Sequence, residues 1–284
     1  ATLREARKEN AAGAPLFPSI TTILGNVLAA QGLQLWKQNQ LLEAQHNNPR
    51  DPAEILEDYF RRIVAMGNSV AKEAAAQGNQ IHDDCETLLH GGAVEMTPRN
   101  RAISNWIDKN VEEVFSTESA LVSPLCGIAG RADAVVSLKG VKGQTVIDFK
   151  SRKFRAKKKS PCGWAPGWYD KDILQLAFYA HCIGEDDGER AISCLDSKAR
   201  IANIGINTNP DAPEDLPPVP ELYSVEDQQA AFSIVPMLSH IWQWRHNYRP
   251  EIPVEAFESK STSLGRTITP GSLHVEICPK NPAP

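Results

Sequence analysis

The sequence predicts an α/β protein in which a mixed sheet is flanked by helices and preceded by a largely helical region. Three observations predict it. Across about the first hundred residues apolar side chains recur at helical spacing. From residue 119 to 150 the pattern turns to alternation, and at Lys171 to Ile183 it returns to a helical arc. The chain has 284 residues, 42% of them hydrophobic, enough for one large domain or a core with a smaller appendage. No apolar run approaches the roughly 18 residues that span a bilayer. The opening Ala1 to Asn10 is charged, unlike a secretion signal. The expectation is a soluble, intracellular protein.

The helical region begins after Pro18. Ser19 to Gln40 opens with hydroxyl residues able to cap a helix, then carries apolar residues at helical spacing, and Gly32 is expected to break it in two. Asn47 to Pro52 reads as a turn, after which Ala53 to Met66 and Val70 to Ala75 resume the pattern. Gly78 precedes QIHDDCETLLH, whose Ile81, Cys85 and Leu88 recur every three or four residues before Gly91 and Gly92 end the helix. His82 and Glu86 thereby share a helical face. A further helix is expected over Asn100 to Val114.

Residues 119 to 150 read as three strands. The clearest pair is GIAGRADAVVSL and QTVIDFK, joined by Lys139 to Gly143, whose glycines suit a tight hairpin. Lys171 to Ile183 is an amphipathic helix with the apolar arc Ile173, Leu176, Ala177, Ala180 and Ile183. Ala199 to Asn207 reads as another strand. A Pro-rich connection, Pro210 to Pro220, leads to a last helix over Val225 to Arg245. The stretch after Pro250 is rich in Pro, Ser and Thr and is expected to hold little regular structure.

The six cysteines, Cys85, Cys126, Cys162, Cys182, Cys194 and Cys278, include no CxxC pair, so they are expected to be reduced and structural. The formal net charge of −5 conceals a local exception. From Lys150 to Lys159 the run KSRKFRAKKK holds seven Lys or Arg in ten residues. Such a density repels itself unless a polyanion lies nearby, and charge patterning leaves open a solvated loop or a nucleic-acid contact.

Alternation in a strand puts Asp148 and Lys150 on one face and Ile147 and Phe149 on the other. Arg131 and Asp133 share a face of the preceding strand, and the hairpin can bring Asp133 opposite Asp148. Converging carboxylates favour a hard divalent cation whose shell is completed by water and phosphate. A neighbouring lysine is suited to orienting an attacking water and offsetting charge on a phosphorane.

A DxK alone is a weak signal. Four elements in order are specific: G-x-x-x-H (Gly78, His82) on a helix, G-R-x-D (Gly130 to Asp133), I-D-F-K (Ile147 to Lys150) and Q-x-x-x-Y (Gln175, Tyr179). Together they closely resemble the RecB-type branch of the PD-(D/E)XK nuclease superfamily, which includes phage exonucleases and the mitochondrial genome maintenance exonuclease. The resemblance covers residues 78 to 183, and PSITTIL at Pro18 to Leu24 followed by Trp36 also looks like the start of those proteins.

The resemblance implies a restriction-endonuclease-like αβββαβ core over residues 78–248. A helical region over 1–77 would serve as a DNA-guiding wall or arch, and 249–284 would form an irregular tail. It implies His82, Asp133, Asp148 and the main-chain carbonyl of Phe149 as metal ligands, Lys150 as the catalytic lysine, and Gln175 and Tyr179 as its support or as phosphate contacts. Packing of the helix surface stays open for those last two. The cofactor would be Mg²⁺ or Mn²⁺, with imidazole favouring Mn²⁺. The reaction would be metal-dependent hydrolysis of DNA to 5′-phosphate and 3′-hydroxyl ends. An exonuclease acting on free or single-stranded ends is favoured over a structure-specific or restriction-like endonuclease, or over a non-catalytic DNA-binding module serving recombination.

Lys153, Arg155, Lys157, Lys158 and Lys159 would neutralise DNA phosphates. Arg131 is open between phosphate and an acidic partner. Trp164, Trp168 and Tyr169 are open between stacking on bases and clamping their own loop, and Glu86 between the site and solvent. Some members of the branch carry four cysteines for an iron-sulfur cluster, one upstream of the core and three closely spaced downstream. Here only Cys278 lies beyond Cys194, so no cluster is expected. Ala132 stands where the family pattern has proline before the aspartate. The expected setting is DNA recombination or repair, with a recombination or replication protein as a further partner and no membrane. A cytoplasmic protein of bacterial or phage origin is favoured over one of the mitochondrial matrix.

Overall fold

The computed structural model, which describes residues 3–13, 15–28, 31–186 and 199–250, contains a five-stranded mixed sheet. The chain divides into two units, Ala1–Leu16 with Pro250–Pro284, and Phe17–Arg249. In the first, helix α1 (Leu3–Ala11) is described. In the second, α2 (Ile20–Val27), α3 (Gln31–Asn47), α4 (Leu56–Leu89) and α5 (Pro98–Asn110) precede β1 (Val111–Ser123), β2 (Ile128–Leu138) and β3 (Gln144–Arg152). A short hairpin, β4 (Arg155–Ala156) and β5 (Trp164–Ala165), is followed by α6 (Asp170–Asp186), β6 (Arg200–Asn207), β7 (Val219–Leu222) and α7 (Val225–His246).

The sheet order is β1-β2-β3-β6-β7. β1, β2 and β3 form an antiparallel meander, β6 lies parallel to β3 beyond the α6 crossover, and β7 returns antiparallel. From α5 to β6 this is the αβββαβ order expected, in a mixed sheet flanked by helices. Gly140 (φ 82°) and Gly143 (φ 81°) make the β2–β3 turn, since only glycine enters positive φ freely.

Alternation along the strands splits the sheet into two chemically different faces. Ala134, Val136 and Leu138 of β2, Ile147 and Phe149 of β3, and Ala202, Ile204 and Ile206 of β6 form one core with Ile81, Cys85 and Leu89 of α4 and Ile103, Trp106 and Ile107 of α5. Each fully buried large side chain there stabilises the fold by roughly 1.5–3 kcal/mol. The β3 residues of opposite parity, Asp148 and Lys150, point away from this core, toward α6.

Several boundaries differ from the sequence expectation. The helix expected to reach Val114 ends at Asn110, because the β-branched Val111 and Val114 pack against the core as strand residues of β1. The break in the first helical stretch falls before Gly32, which lies in the first turn of α3. The segments read as separate helices from Ala53 to His90 are one 34-residue helix, α4, and residue 78 lies within it. Its Gly67 does not break the helix; it makes room for α3, since a Cβ there would stand 2.6 Å from Leu41 Cδ2.

Helix α6 is buried on more than the expected arc. Leu174, Phe178, Tyr179, His181 and Cys182 are buried beside Leu176, Ala177 and Ala180, because α6 contacts α2 and α7 as well as the sheet. Strand β7 and the β4–β5 hairpin were not expected. Among the described residues no helix is long and apolar enough to cross a membrane. Cys85, Cys126, Cys162 and Cys182 are not joined in disulfides, whereas Cys194, Cys278 and the stretch after Pro250 lie outside the described residues.

Candidate active site

Strands β2 and β3 are paired from Ser137↔Gln144 to Ala134↔Ile147, so Asp133 and Asp148 are the next residues along and face each other where the ladder ends. Here Asp133 Oδ2 accepts the main-chain N–H of Phe149 at 2.7 Å and lies 3.1 Å from His82 Nδ1. His82 reaches the fork from α4, which packs on the Phe149 face. The opposite face supplies the rest of the cluster.

Asp148 is 1% exposed in a strand flanked by neighbours on both sides, a position where a charge is costly unless it is paired. Lys150 Nζ lies 2.5 Å from Asp148 Oδ2, and that oxygen accepts no hydrogen bond of adequate angle. Gln175 of α6 joins the parts. Its Oε1 accepts from Lys150 Nζ at 3.1 Å, and its Nε2 donates to Tyr179 Oη at 2.9 Å and more weakly to Asp148 Oδ1 at 3.4 Å. Gly130 is what lets Tyr179 approach: a Cβ there would stand 2.5 Å from Tyr179 Cε1. The glycine of GRAD therefore seats the tyrosine of QLAFY against β2.

The electrostatics follow from this geometry. Burial, then the charge of Asp133, push the Asp148 pKa up to about 6 against the pull of Lys150 and His82. For Lys150, burial disfavours the cation, but the contact with Asp148 outweighs it and holds the ammonium above its ordinary pKa. His82 behaves likewise: burial works against its cation, and the hydrogen bond and charge of Asp133 win, so its pKa is raised. Burial pushes the Tyr179 phenol up, making it a neutral hydrogen-bonding group.

The structure therefore gathers His82, Asp133, Asp148, Lys150, Gln175 and Tyr179 into one cluster. Among the described residues, no three His, Cys, Asp or Glu side chains form a ready-made metal cage. The carboxylates instead engage basic side chains, Asp133 with His82 and Asp148 with Lys150. Other named residues lie apart. Arg131 is paired with Glu118 at 3.1 Å and is largely exposed. Glu86 accepts from Thr117 Oγ1 at 3.3 Å, tying α4 to β1.

Lys153, Arg155, Lys157, Lys158 and Lys159 are all exposed on or beside the β4–β5 hairpin, with Phe154 buried at its root. Trp168 stands on Gly205 of β6, where a Cβ would meet its ring at 3.1 Å, and Trp164 is half-buried in β5. Tyr169 is exposed, with Arg152 and Lys171 over its ring at 5.1 and 5.7 Å.

Sequence reasoning missed two features. Asp172, 1% exposed, takes both carboxylate oxygens to Arg152 Nη2 at 2.9 and 2.8 Å and accepts from the Tyr169 N–H at 3.0 Å. The signal was present: Asp172, Gln175 and Tyr179 recur at i, i+3 and i+7 on α6, matching Arg152, Lys150 and Asp148 on one face of β3. Glu118, between the pairs Thr117↔Ala134 and Ser119↔Ala132, faces Asp133 at φ 46°, a left-handed conformation that costs on the order of 1 kcal/mol or more.

No protein-family model matches the chain, and no curated protein matches it. A candidate exonuclease from Eubacterium rectale, known from a crystal structure, is similar over 95% of this chain and 85% of its own, with 14% identity and a TM-score of 0.33. A likeness at that level carries no argument about chemistry.

Proposed function

We propose that this protein is a metal-dependent deoxyribonuclease of the PD-(D/E)XK type, an exonuclease that hydrolyses DNA to 5′-phosphate and 3′-hydroxyl ends. The observation that carries the reading is the fork of β2 and β3. It brings Asp133 opposite Asp148 and sets Lys150 Nζ 2.5 Å from the Asp148 carboxylate. The order of the four sequence motifs, which resembles the RecB-type branch, supports the exonuclease form.

The residues present fit a hard divalent cation in three respects. The donors are oxygen-rich, Asp148 Oδ2 is buried without a well-formed hydrogen bond, and the neighbouring charge of Asp133 raises the cost of ionising Asp148. Asp133, Asp148, the Phe149 carbonyl and His82 would hold Mg²⁺ or Mn²⁺. When bound, that ion would polarise the scissile phosphate and lower the pKa of a nucleophilic water.

The protein's own groups do the rest. Lys150 stays protonated beside Asp148 and can donate to the attacking water or to a phosphorane oxygen. Gln175 fixes the ammonium through its Oε1 and is itself fixed by Tyr179. The exposed basic hairpin supplies phosphate contacts leading away from the end of β3.

The experiment is cleavage of end-labelled single- and double-stranded DNA and of a circular single strand, in Mn²⁺, Mg²⁺ or chelator, beside Asp148→Ala. The expected result is cleavage of the linear substrates only, in either metal, lost in chelator and in the variant. Cleavage that survives chelation or the substitution overturns the mechanism, and cutting of the circle makes the enzyme an endonuclease.

A further inference from the structure

Helix α7 is apolar on two sides. One side buries Ala231, Val235, Leu238 and Trp242 in the fold, where α7 contacts α6 and α2. The other carries Ile234 (41% exposed), Met237 (61%), Ile241 (39%) and Trp244 (81%), with Ala230 ahead of them. Their spacing of four, three, four and three residues is the repeat of a coiled-coil seam rather than a scatter of single exposed side chains. An exposed apolar stripe of this length ordinarily marks an interaction surface.

We propose that this face pairs with the same face of a second copy of the chain, the two α7 helices running antiparallel about a two-fold axis at Met237. Two features of the helix select this occupant. Ala230 and Trp244 each lie seven residues from Met237, so the two-fold sets the largest side chain of the seam against the smallest, at both ends. The exposed Glu226 and Asp227 sit in the first turn and Arg245 in the last. In the antiparallel pair the acids of each helix fall within one turn of the arginine of the other, whereas a parallel pair would stack like charges. Trp244 is the anchor of the contact, as exposed tryptophans entering interfaces commonly are. A single pair of helices makes a small interface, so the dimer forms by mass action.

The test is sedimentation equilibrium of the full chain over about 1 to 200 µM, a range in which a small interface of this kind saturates. The expected mass moves from 31.2 kDa toward twice that value. Trp244→Glu and Met237→Glu, both at exposed positions, remain monomeric throughout with unchanged melting temperature. Arg245→Glu weakens association about tenfold, as does Glu226→Arg with Asp227→Arg, and the three substitutions together restore it. A chain that stays monomeric at the highest concentration, an association indifferent to Trp244→Glu, or a charge exchange that fails to restore it overturns the proposal.

Discussion

Asp133 Oδ2 accepts the main-chain N–H of Phe149 at the point where the β2–β3 ladder stops. A side chain thus supplies an acceptor to a buried strand amide as the strands part. The carboxylate is tied to the architecture as firmly as to any chemistry, because the fork it spans is where His82 from one face meets Lys150 and Gln175 from the other.

Structure and activity should therefore separate at Asp133. Asp133→Asn retains an oxygen for the Phe149 amide and removes the charge. Its stability is expected to stay within about 1 kcal/mol of the parent while DNA cleavage falls at least about a hundredfold. Asp133→Ala leaves the amide unpaired and costs a further 1–3 kcal/mol or so. Urea midpoints beside cleavage rates check this; an asparagine variant with parental activity would remove Asp133 from the reaction.

Arg152 and Asp172 form the matching strut between β3 and the first turn of α6. Both are largely withdrawn from solvent, so removing one partner strands the other. Asp172→Ala is expected to cost about 3–5 kcal/mol, whereas replacing both by apolar residues of similar volume recovers most of the loss. Denaturant unfolding of the single and double variants measures it. Equal losses in both would mean that the pair contributes packing and not charge.

Lys157, Lys158 and Lys159 stand clear of the fold, and the proposed function assigns them to phosphates. Changing all three to alanine is expected to lower the slope of log affinity against log salt by about 2–3, since each phosphate contact contributes roughly 0.7–0.9. Binding titrations in chelator, where cleavage is absent, would show it. An unchanged slope would place the DNA elsewhere.

What the sequence made legible depended on local periodicity. Alternation put Asp148 with Lys150, a four-residue step put Gln175 with Tyr179, and the glycines of Lys139 to Gly143 set the hairpin that aligns Asp133 with Asp148. Features fixed by distant partners were hidden. Gly67 looks like a breaker until Leu41 is seen packed on it, and the strand glycine Gly130 carries no local sign of its role until Tyr179 is seen against it. Arg152 looks like one more cation of a basic run until Asp172 removes it from solvent. The burial of α6 beyond its apolar arc has the same origin, since α2 and α7 cover sides of the helix that a single amphipathic arc does not mark.

The last prediction concerns pH. In the metal-free protein the folded-state pKa of Asp148 is raised from 3.8 to about 6, so between those values the folded state holds the proton and stability falls as pH rises. His82 is also raised above its ordinary 6.5, and the stability from its pairing with Asp133 is present below that value and lost as pH climbs through the raised one. Both groups act in the same direction. In chelator the melting temperature contribution of this cluster is expected to decline from about pH 4 to above pH 6.5, by about 2–4 °C per kcal/mol lost. Asp148→Asn with His82→Ala should flatten that part of the profile. With Mn²⁺ the trend should reverse, because the ion competes with protons for the same ligands and binds more tightly as they leave. Thermal melts across this range, with and without metal, decide it: parallel profiles for parent and double variant would show that the cluster does not govern the pH response.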